Sequence, residues 1–205
     1  MKLYFAPGAC SFSPHIVLRE AGLDFALELV DLRTKVTSTG ADYRAINPLG
    51  YVPALQLDDG TVLTEGPAII QYVADLVPDK ALAPTAGSMA RYRLAETLNF
   101  LSTEVHKTWS PLFGGLSDEQ RAAIVDRLRG RIAHLGKRLE HQPFLEGDHF
   151  TVADAYFYTL LSWARWTKVD LSDMPAITTY QARIAERPAV VAALAAEKAL
   201  RPRNH

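Results

Sequence analysis

The chain of 205 residues contains a single cysteine and almost no net charge. One cysteine cannot form an internal disulfide, which is typical of a protein from a reducing compartment. Its 22 basic and 23 acidic side chains give a formal charge of -1, so the basic excess of a nucleic-acid binder is missing. We therefore expect a cytoplasmic protein that binds no nucleic acid.

Long apolar runs are also missing. The most apolar stretch, around residues 152–166, is interrupted by Asp154 and Arg165 and is too short to span a bilayer. No charged start followed by an apolar run marks a signal peptide. We therefore expect no membrane association. We also expect no metal, because a chain of this length can bury one large core or two small ones without one.

Residues 1–77 alternate short apolar runs with turn signals, as α/β domains do. A helical pattern that ends near Gly22 separates the first two runs, and another helix follows from Glu65. Asp58-Asp59-Gly60 predicts a tight hairpin between the last two strands. The expected strands are Leu3–Phe5, Leu27–Val30, Ala54–Leu57 and Thr61–Leu63. This βαβ-ββα order predicts a thioredoxin-like domain.

Prolines and glycines punctuate residues 78–87, and only helical periods follow them. The apolar residues of Leu94–Val105 and of Ile124–Leu139 are spaced by three and four, which predicts two long amphipathic helices. A helix after Phe150 is apolar on almost every side and suits the centre of a bundle. We therefore predict a linker at 78–87 and an all-helical domain at 88–205.

Cys10 lies just after the first strand and a Pro7-Gly8 turn, at the start of the first helix. The unpaired N–H groups and the dipole of a helix N-terminus favour a thiolate, so this position makes Cys10 a candidate for chemistry. His15, which follows in the same helix, is expected to face solvent or an adjacent loop and is assigned no catalytic role.

Two further loops carry candidate binding groups. If the Val52-Pro53 bond is cis, it turns the backbone N–H and C=O of Val52 outward, ready to pair with an extended peptide. Glu65 can accept a hydrogen bond from an amine, and the N–H of Gly66 at a helix start is a natural seat for a carboxylate.

Thr151 and Asp154 have the spacing of a capping box in front of the apolar helix. In this arrangement each residue satisfies a backbone N–H of the other, so we assign the pair a structural and not a catalytic role.

The chain resembles the bacterial glutathione S-transferases, and among them most of all the beta class, over its whole length. The resemblance is carried by the segments Lys2–Ser11, Asn47–Leu55, Leu63–Gly66, Glu104–Lys107 and Phe150–Tyr156. It implies a thioredoxin-like N-terminal domain, an all-helical C-terminal domain, a homodimer and glutathione as co-substrate.

The resemblance also implies a set of roles along glutathione. The backbone of Val52, turned outward by Pro53, would pair with the cysteinyl unit, and Glu65 and the Gly66 N–H would hold the γ-glutamyl amine and carboxylate. Lys35, in the loop after the second strand, would meet the glycyl carboxylate.

The remaining implied roles fall mostly in the helical domain. Asn99 and Glu104 match positions that approach glutathione across the dimer interface. His106 and Lys107 would lie at the thiol end, where His106 is a base or a donor, and Trp163 would form a wall of the electrophile site. Cys10 would meet the glutathione sulfur.

The expected activity is transfer of the glutathione thiolate to electrophilic, apolar small molecules, in detoxification or in catabolism. Tyr4 and Ser11 lie near the thiol and offer hydroxyl donors beside Cys10. A first alternative is a thiol-disulfide oxidoreductase that forms a mixed disulfide between Cys10 and glutathione. A second is a protein that binds apolar ligands without catalysis.

Overall fold

A computed structural model describes residues 1–200, which form two compact units. The first unit comprises Met1–Leu82 together with the last helix, from Arg187 onward, and the second comprises Ala83–Glu186. The division after Leu82 falls within the predicted linker. The last helix, which we had assigned to the helical domain of 88–205, instead belongs with the first unit.

The first unit is built on a five-stranded sheet in the order β3-β2-β1-β4-β5. β1 is parallel to β2 and antiparallel to β4, while β2 pairs with β3 and β4 with β5 in antiparallel fashion. Two helices belong to this part of the chain, and the elements are β1 (Lys2–Phe5), α1 (Phe12–Ala21), β2 (Ala26–Asp31), β3 (Val36–Thr37), β4 (Ala54–Gln56), β5 (Val62–Thr64) and α2 (Gly66–Asp75). The thioredoxin-like prediction is confirmed; the two-residue strand β3 was not predicted.

Apolar residues of neighbouring strands pair in the core of this unit. Leu3 of β1 lies opposite Leu27 on one side and Leu55 on the other, and both Leu3 and Leu55 are fully buried. Ile16 of α1 and Ile69 of α2 are also fully buried, which matches the apolar stripe that each helix carries. The antiparallel pairing of β4 with β5 confirms the predicted hairpin.

The second unit contains helices only. They are α3 (Met89–Phe100), α4 (Lys107–Trp109), α5 (Asp118–Leu139), α6 (Val152–Ser162), α7 (Ala164–Thr167) and α8 (Pro175–Ala185). The chain is helical over Leu94–Val105, as predicted, but its form changes within this range, because Leu101–His106, between α3 and α4, is a π-helix. Such segments are rare and frequently occur at functional sites.

The chain continues into α9 (Pro188–Leu200), which packs against α1 in the first unit. Arg187, just before this helix, makes a two-point ion pair with Glu20, with N–O distances of 2.6 and 2.9 Å. Short 3₁₀ turns lie at Tyr43–Ala45, Pro78–Lys80 and Ser110–Phe113.

Within residues 1–200, no helix has the length and apolar character needed to cross a membrane. The same residues contain no group of three or more His, Cys, Asp or Glu side chains that could hold a metal ion.

The predicted capping box organises α6. The carboxylate of Asp154 accepts from the Thr151 N–H at 2.8 Å, and also from the Leu145 N–H and the Tyr180 hydroxyl at 2.9 and 3.0 Å. Burial raises the pKa of Asp154 to about 6, while these donors favour the ionised form. Asp154 therefore connects three segments of the second unit as well as capping the helix.

Replacing Asp154 should cost far more stability than replacing its capping partner. Thr151→Ala removes one cap and should lower the free energy of unfolding by about 1 kcal/mol. Asp154→Ala leaves several buried donors without an acceptor and should lower it by roughly 3 kcal/mol or more. Urea unfolding of both variants measures the difference, and equal losses would contradict this account.

Candidate functional site

The loop before α1 presents Cys10 at the N-terminal end of that helix, as predicted. Ser11 closes the loop, because its hydroxyl accepts from the Ala6 N–H at 3.1 Å and donates to the Ala6 carbonyl at 3.2 Å. Phe12, the first residue of α1, adds a backbone bond to the Ala9 carbonyl. Cys10 is partly exposed at the edge of this closed loop.

A second loop, between the 3₁₀ turn at Tyr43–Ala45 and β4, lies against the thiol. The sequence left the isomer of the Val52-Pro53 peptide bond open, and in the structure this bond is cis. The Cys10 Sγ donates to the Val52 carbonyl at 3.1 Å. Because β1 and β4 are antiparallel neighbours, the loop after β1 and the loop before β4 meet at the same edge of the sheet.

Two side chains that were not assigned a role hold the second loop in place. The Tyr43 hydroxyl and the Asn47 amide both donate to the Tyr51 carbonyl at 2.8 Å. Tyr43 is fully buried, and burial raises the pKa of its phenol well above the ordinary value. The turn-forming Asn47-Pro48 pair was the only signal for this role, and nothing in the sequence indicated Tyr43.

Glu65 and Gly66 lie beside this loop at the start of α2. A methyl group placed on Gly66 would lie 3.8 Å from Pro53 Cγ, so the helix start and the Val52-Pro53 loop are in contact. Glu65 is exposed, and its backbone has φ 66° and ψ 111°, a conformation that residues other than glycine rarely adopt. The structure thus brings Cys10, Val52, Pro53, Glu65 and Gly66 into one continuous strip.

Lys35 extends the polar surface of this second loop. Its ammonium donates to the Gly50 carbonyl at 2.9 Å, two residues before Val52. The aliphatic part of the side chain covers Gly50, where an added methyl group would meet Lys35 Cδ at 3.1 Å.

The two hydroxyl groups that competed with Cys10 have other partners. The Tyr4 hydroxyl donates to Gln56 Oε1 at 2.9 Å, and only 4% of the residue is exposed. Ser11 is fully buried and bonded to Ala6 in both directions. Of the three candidates, the thiol of Cys10 is the one with solvent access.

His106 ends the π-helix of the second unit and lies in an aromatic cluster. Its Nδ1 is 2.7 Å from the Tyr156 hydroxyl, and its ring centroid is 5.0 Å from that of Trp163. Burial lowers the pKa of His106 to about 4, and the positive charge of Lys107 acts in the same direction. The imidazole is therefore neutral at physiological pH.

Trp163 lies at the centre of this cluster. Trp109 and Phe113 contact it edge to face, with centroid distances of 6.1 and 5.3 Å. Only 4% of Trp163 is exposed, whereas Phe113 is 54% exposed. The surface that the cluster offers is thus formed by Phe113 more than by Trp163, and sequence patterning had not singled out Phe113.

The other predicted residues of the second unit lie on one long helical segment. Asn99 and Lys107 are exposed, and Glu104 is half-buried beside Arg131, whose Nε donates to it at 3.1 Å. Glu104 and Lys107 lie in and just after the π-helix that also contains His106.

The chain matches two protein-family models. One, described as Glutathione S-transferase, N-terminal domain, matches residues 8–76, and the other, Glutathione S-transferase, C-terminal domain, matches residues 100–188. Glutathione S-transferase GstA of Escherichia coli O157:H7 is 46% identical over 198 residues, which cover 96% of this chain and 98% of that protein.

Solved structures agree with these matches. The ternary complex of BphK, a bacterial GST, is 54% identical with a TM-score of 0.94, and the match covers 97% of this chain and all of the other. The beta-class enzyme of Sphingomonas chungbukensis is 47% identical with a TM-score of 0.92, over 96% and 98% of the two chains. The likeness to the beta class is confirmed.

The neutral state of His106 predicts a pH dependence of stability. An unfolded histidine has a pKa near 6.5. Because the folded pKa is about 4, the folded protein binds fewer protons than the unfolded chain between these values. Stability must therefore fall as the pH is lowered through that range.

The variant His106→Gln should lose this effect. From about pH 7 to about pH 5, the free energy of unfolding of the original protein should fall by about 1 to 2 kcal/mol more than that of the variant. Denaturant titrations at both pH values measure it, with the exposed His134 replaced by Gln as a control for removing an imidazole. Parallel pH profiles for the original protein and His106→Gln would contradict the assignment.

Proposed function

The chain belongs to the glutathione S-transferase family, and we propose that Cys10 is the group of this enzyme that meets the sulfur of glutathione. The protein is an enzyme that transfers glutathione, its co-substrate, to electrophilic small molecules. The assignments below concern how its residues hold glutathione and which electrophiles it accepts.

A row of backbone and side-chain groups without partners supports the binding of glutathione by the first unit. Within residues 1–200, the N–H groups of Val52 and Gly66 have no hydrogen-bond acceptor, and the carboxylate of Glu65 has no donor. Val52 is only 7% exposed, and a buried N–H without a partner costs free energy. This row fits an extended peptide that carries an amine and carboxylates, and it is the observation on which the proposal rests.

Each part of glutathione has a matching group in this row. The backbone of Val52, beside Pro53, pairs with the cysteinyl unit, which leaves the glutathione sulfur next to Cys10 Sγ. Glu65 accepts from the γ-glutamyl amine, and the Gly66 N–H at the positive end of α2 holds the adjacent carboxylate. Lys35, on the loop beside Gly50, meets the glycyl carboxylate.

The backbone of Glu65 adds a further argument. A residue other than glycine in this conformation costs on the order of 1 to 3 kcal/mol, and such strain is concentrated at ligand sites. Glu65, with its unusual φ of 66°, is the N-cap residue of α2, directly before Gly66. We infer that it is maintained because it aims the carboxylate and the Gly66 N–H at the same ligand.

The chemistry then consists of positioning and of stabilising a thiolate. The glutathione thiol releases its proton to solvent, the thiolate attacks an electrophilic carbon, and the leaving group departs with the electron pair of the bond that breaks. The N-terminal end of α1 and the thiol of Cys10 stabilise the negative sulfur. His106 is neutral, so it acts as a hydrogen-bonding group and not as a cation.

The aromatic cluster of the second unit sets the class of electrophile. Phe113 offers an apolar surface, and the buried Trp163 packs behind it, in contact with the neutral His106. We infer that the electrophile is small and apolar, with an aromatic ring that can pack against Phe113.

We further propose that the enzyme is a cytoplasmic homodimer. Met89 and Tyr92, at the start of α3, are 70% and 63% exposed, and large apolar groups at a surface are typical of an interface. Asn99 and Glu104 follow on the same helical segment and would approach the glutathione of the partner subunit, whereas Lys107, next to His106, would lie at the thiol end. The single cysteine agrees with a reducing compartment.

The variant Cys10→Ala tests the role of the thiol. It should reduce conjugation to an aromatic halide by no more than about tenfold, because α1 and the backbone still stabilise the thiolate. Formation of a mixed disulfide with oxidised glutathione should disappear, since a sulfur is required for it. Steady-state kinetics and intact-protein mass spectrometry measure the two reactions.

Cys10→Ser is the matched control, because it keeps a hydrogen-bond donor of similar size. It should recover most of the conjugation that Cys10→Ala loses and none of the disulfide formation. If Cys10→Ala changes neither reaction, Cys10 does not meet the glutathione sulfur.

A further inference from the structure

A buried carboxylate of the last helix reaches the loop that presents Cys10. Glu197, on α9, is only 4% exposed. Its Oε2 accepts from the Gly8 N–H at 2.9 Å, and its Oε1 lies 3.0 Å from the Nδ1 of His15. Both contacts lie within the first unit and join residues more than 180 positions apart in the chain.

His15, which was expected to face solvent or a loop, is instead fully buried on α1. Its Nε2 accepts from the Arg19 Nε at 2.9 Å. An arginine Nε always carries a hydrogen, so the lone pair is at Nε2 and we assign the ring proton to Nδ1, where it donates to Glu197. The neutral ring thus connects the positive Arg19 to the negative Glu197.

This series of hydrogen bonds ends at Gly8, two residues before Cys10. Gly8 has φ 75° and lies at the turn between β1 and Cys10. A buried carboxylate requires donors, and Glu197 has two of them, the Gly8 N–H and the His15 ring. The position of the turn is therefore coupled to the position of α9.

We propose that Glu197 is a positioning residue for the reaction: through the Gly8 N–H and His15 it holds the Gly8–Cys10 turn so that the thiol reaches the glutathione sulfur. The proposal rests on the role of Cys10 given under the proposed function. The hydrogen bonds described for Glu197 go to Gly8 and His15 and not to Val52, Glu65 or Gly66, so its loss should affect the thiol and not the binding of glutathione.

The structure offers a matched control for this proposal. Glu20 of α1 pairs with Arg187 next to α9, and so it also ties α1 to the last helix. The two hydrogen bonds of this ion pair join α1 to the segment before α9 and involve no residue of the Gly8–Cys10 turn. Glu20→Ala and Glu197→Ala should therefore both destabilise the α1–α9 contact, but only the second should release the turn.

The test compares Glu197→Ala, Glu197→Gln and Glu20→Ala in the full-length chain. One measurement is the rate at which oxidised glutathione forms a mixed disulfide with Cys10. In that step the Cys10 thiolate attacks one sulfur of the disulfide, a new S–S bond forms, the old one breaks, and one glutathione leaves as a thiolate. The second measurement is the Kd for glutathione, determined by calorimetry. The third is the rate of hydrogen exchange in the loop at residues 6–11.

Glu197→Ala should slow mixed-disulfide formation by about tenfold, because a displacement of less than 1 Å is enough for such a loss. It should also speed hydrogen exchange in the loop, with the Kd for glutathione changed less than about twofold. Glu197→Gln, which keeps an oxygen acceptor for the Gly8 N–H, should recover most of the rate. Glu20→Ala should resemble the original protein in all three measurements.

The proposal is overturned if Glu197→Ala and Glu20→Ala slow the reaction equally, or if neither does. If the original protein forms no mixed disulfide at all, the role of Cys10 in the proposed function fails. In that case unchanged loop exchange in Glu197→Ala would also overturn the coupling of Glu197 to the turn, and faster exchange would support it.

Discussion

The hydrogen bond from the Cys10 thiol to the Val52 carbonyl connects two loops that are 42 residues apart. It can form because β1 and β4 are antiparallel neighbours, with Tyr4 opposite Ala54. Each loop is fixed from its other side, one by Ser11 and the other by Tyr43 and Asn47. The thiol and the strip that we propose to receive glutathione therefore lie at the same edge of the sheet.

Local patterns in the sequence predict much of this arrangement. The βαβ-ββα order and the Thr151 capping box follow from turn residues and periodicity that act over a few positions, whereas the isomer of the Val52-Pro53 bond is seen only in the structure. The structure departs from prediction where distant segments meet. No local pattern indicates that α9 packs on α1, that Glu197 reaches Gly8, or that Tyr43 supports the Val52 loop, because these contacts depend on the folded chain as a whole.

In the second unit, the sequence likewise did not predict the charge of a candidate residue. The sequence indicates a histidine at position 106 but not its charge, since the charge depends on burial among aromatic rings. A neutral His106 cannot stabilise the thiolate as a cation. In the proposed function, the positive field at the thiolate therefore comes from the N-terminal end of α1, beside Cys10, so the geometry of the Cys10 loop matters for the reaction.

The most direct test of this account is a crystal structure of the protein with glutathione bound. We expect the cysteinyl backbone to pair with Val52, the γ-glutamyl group to lie at Glu65 and Gly66, and the glutathione sulfur to lie within hydrogen-bonding distance of Cys10 Sγ. A glutathione sulfur nearer to the hydroxyl of Tyr4 or Ser11, or a glutathione that leaves the Val52 backbone without a partner, would contradict it.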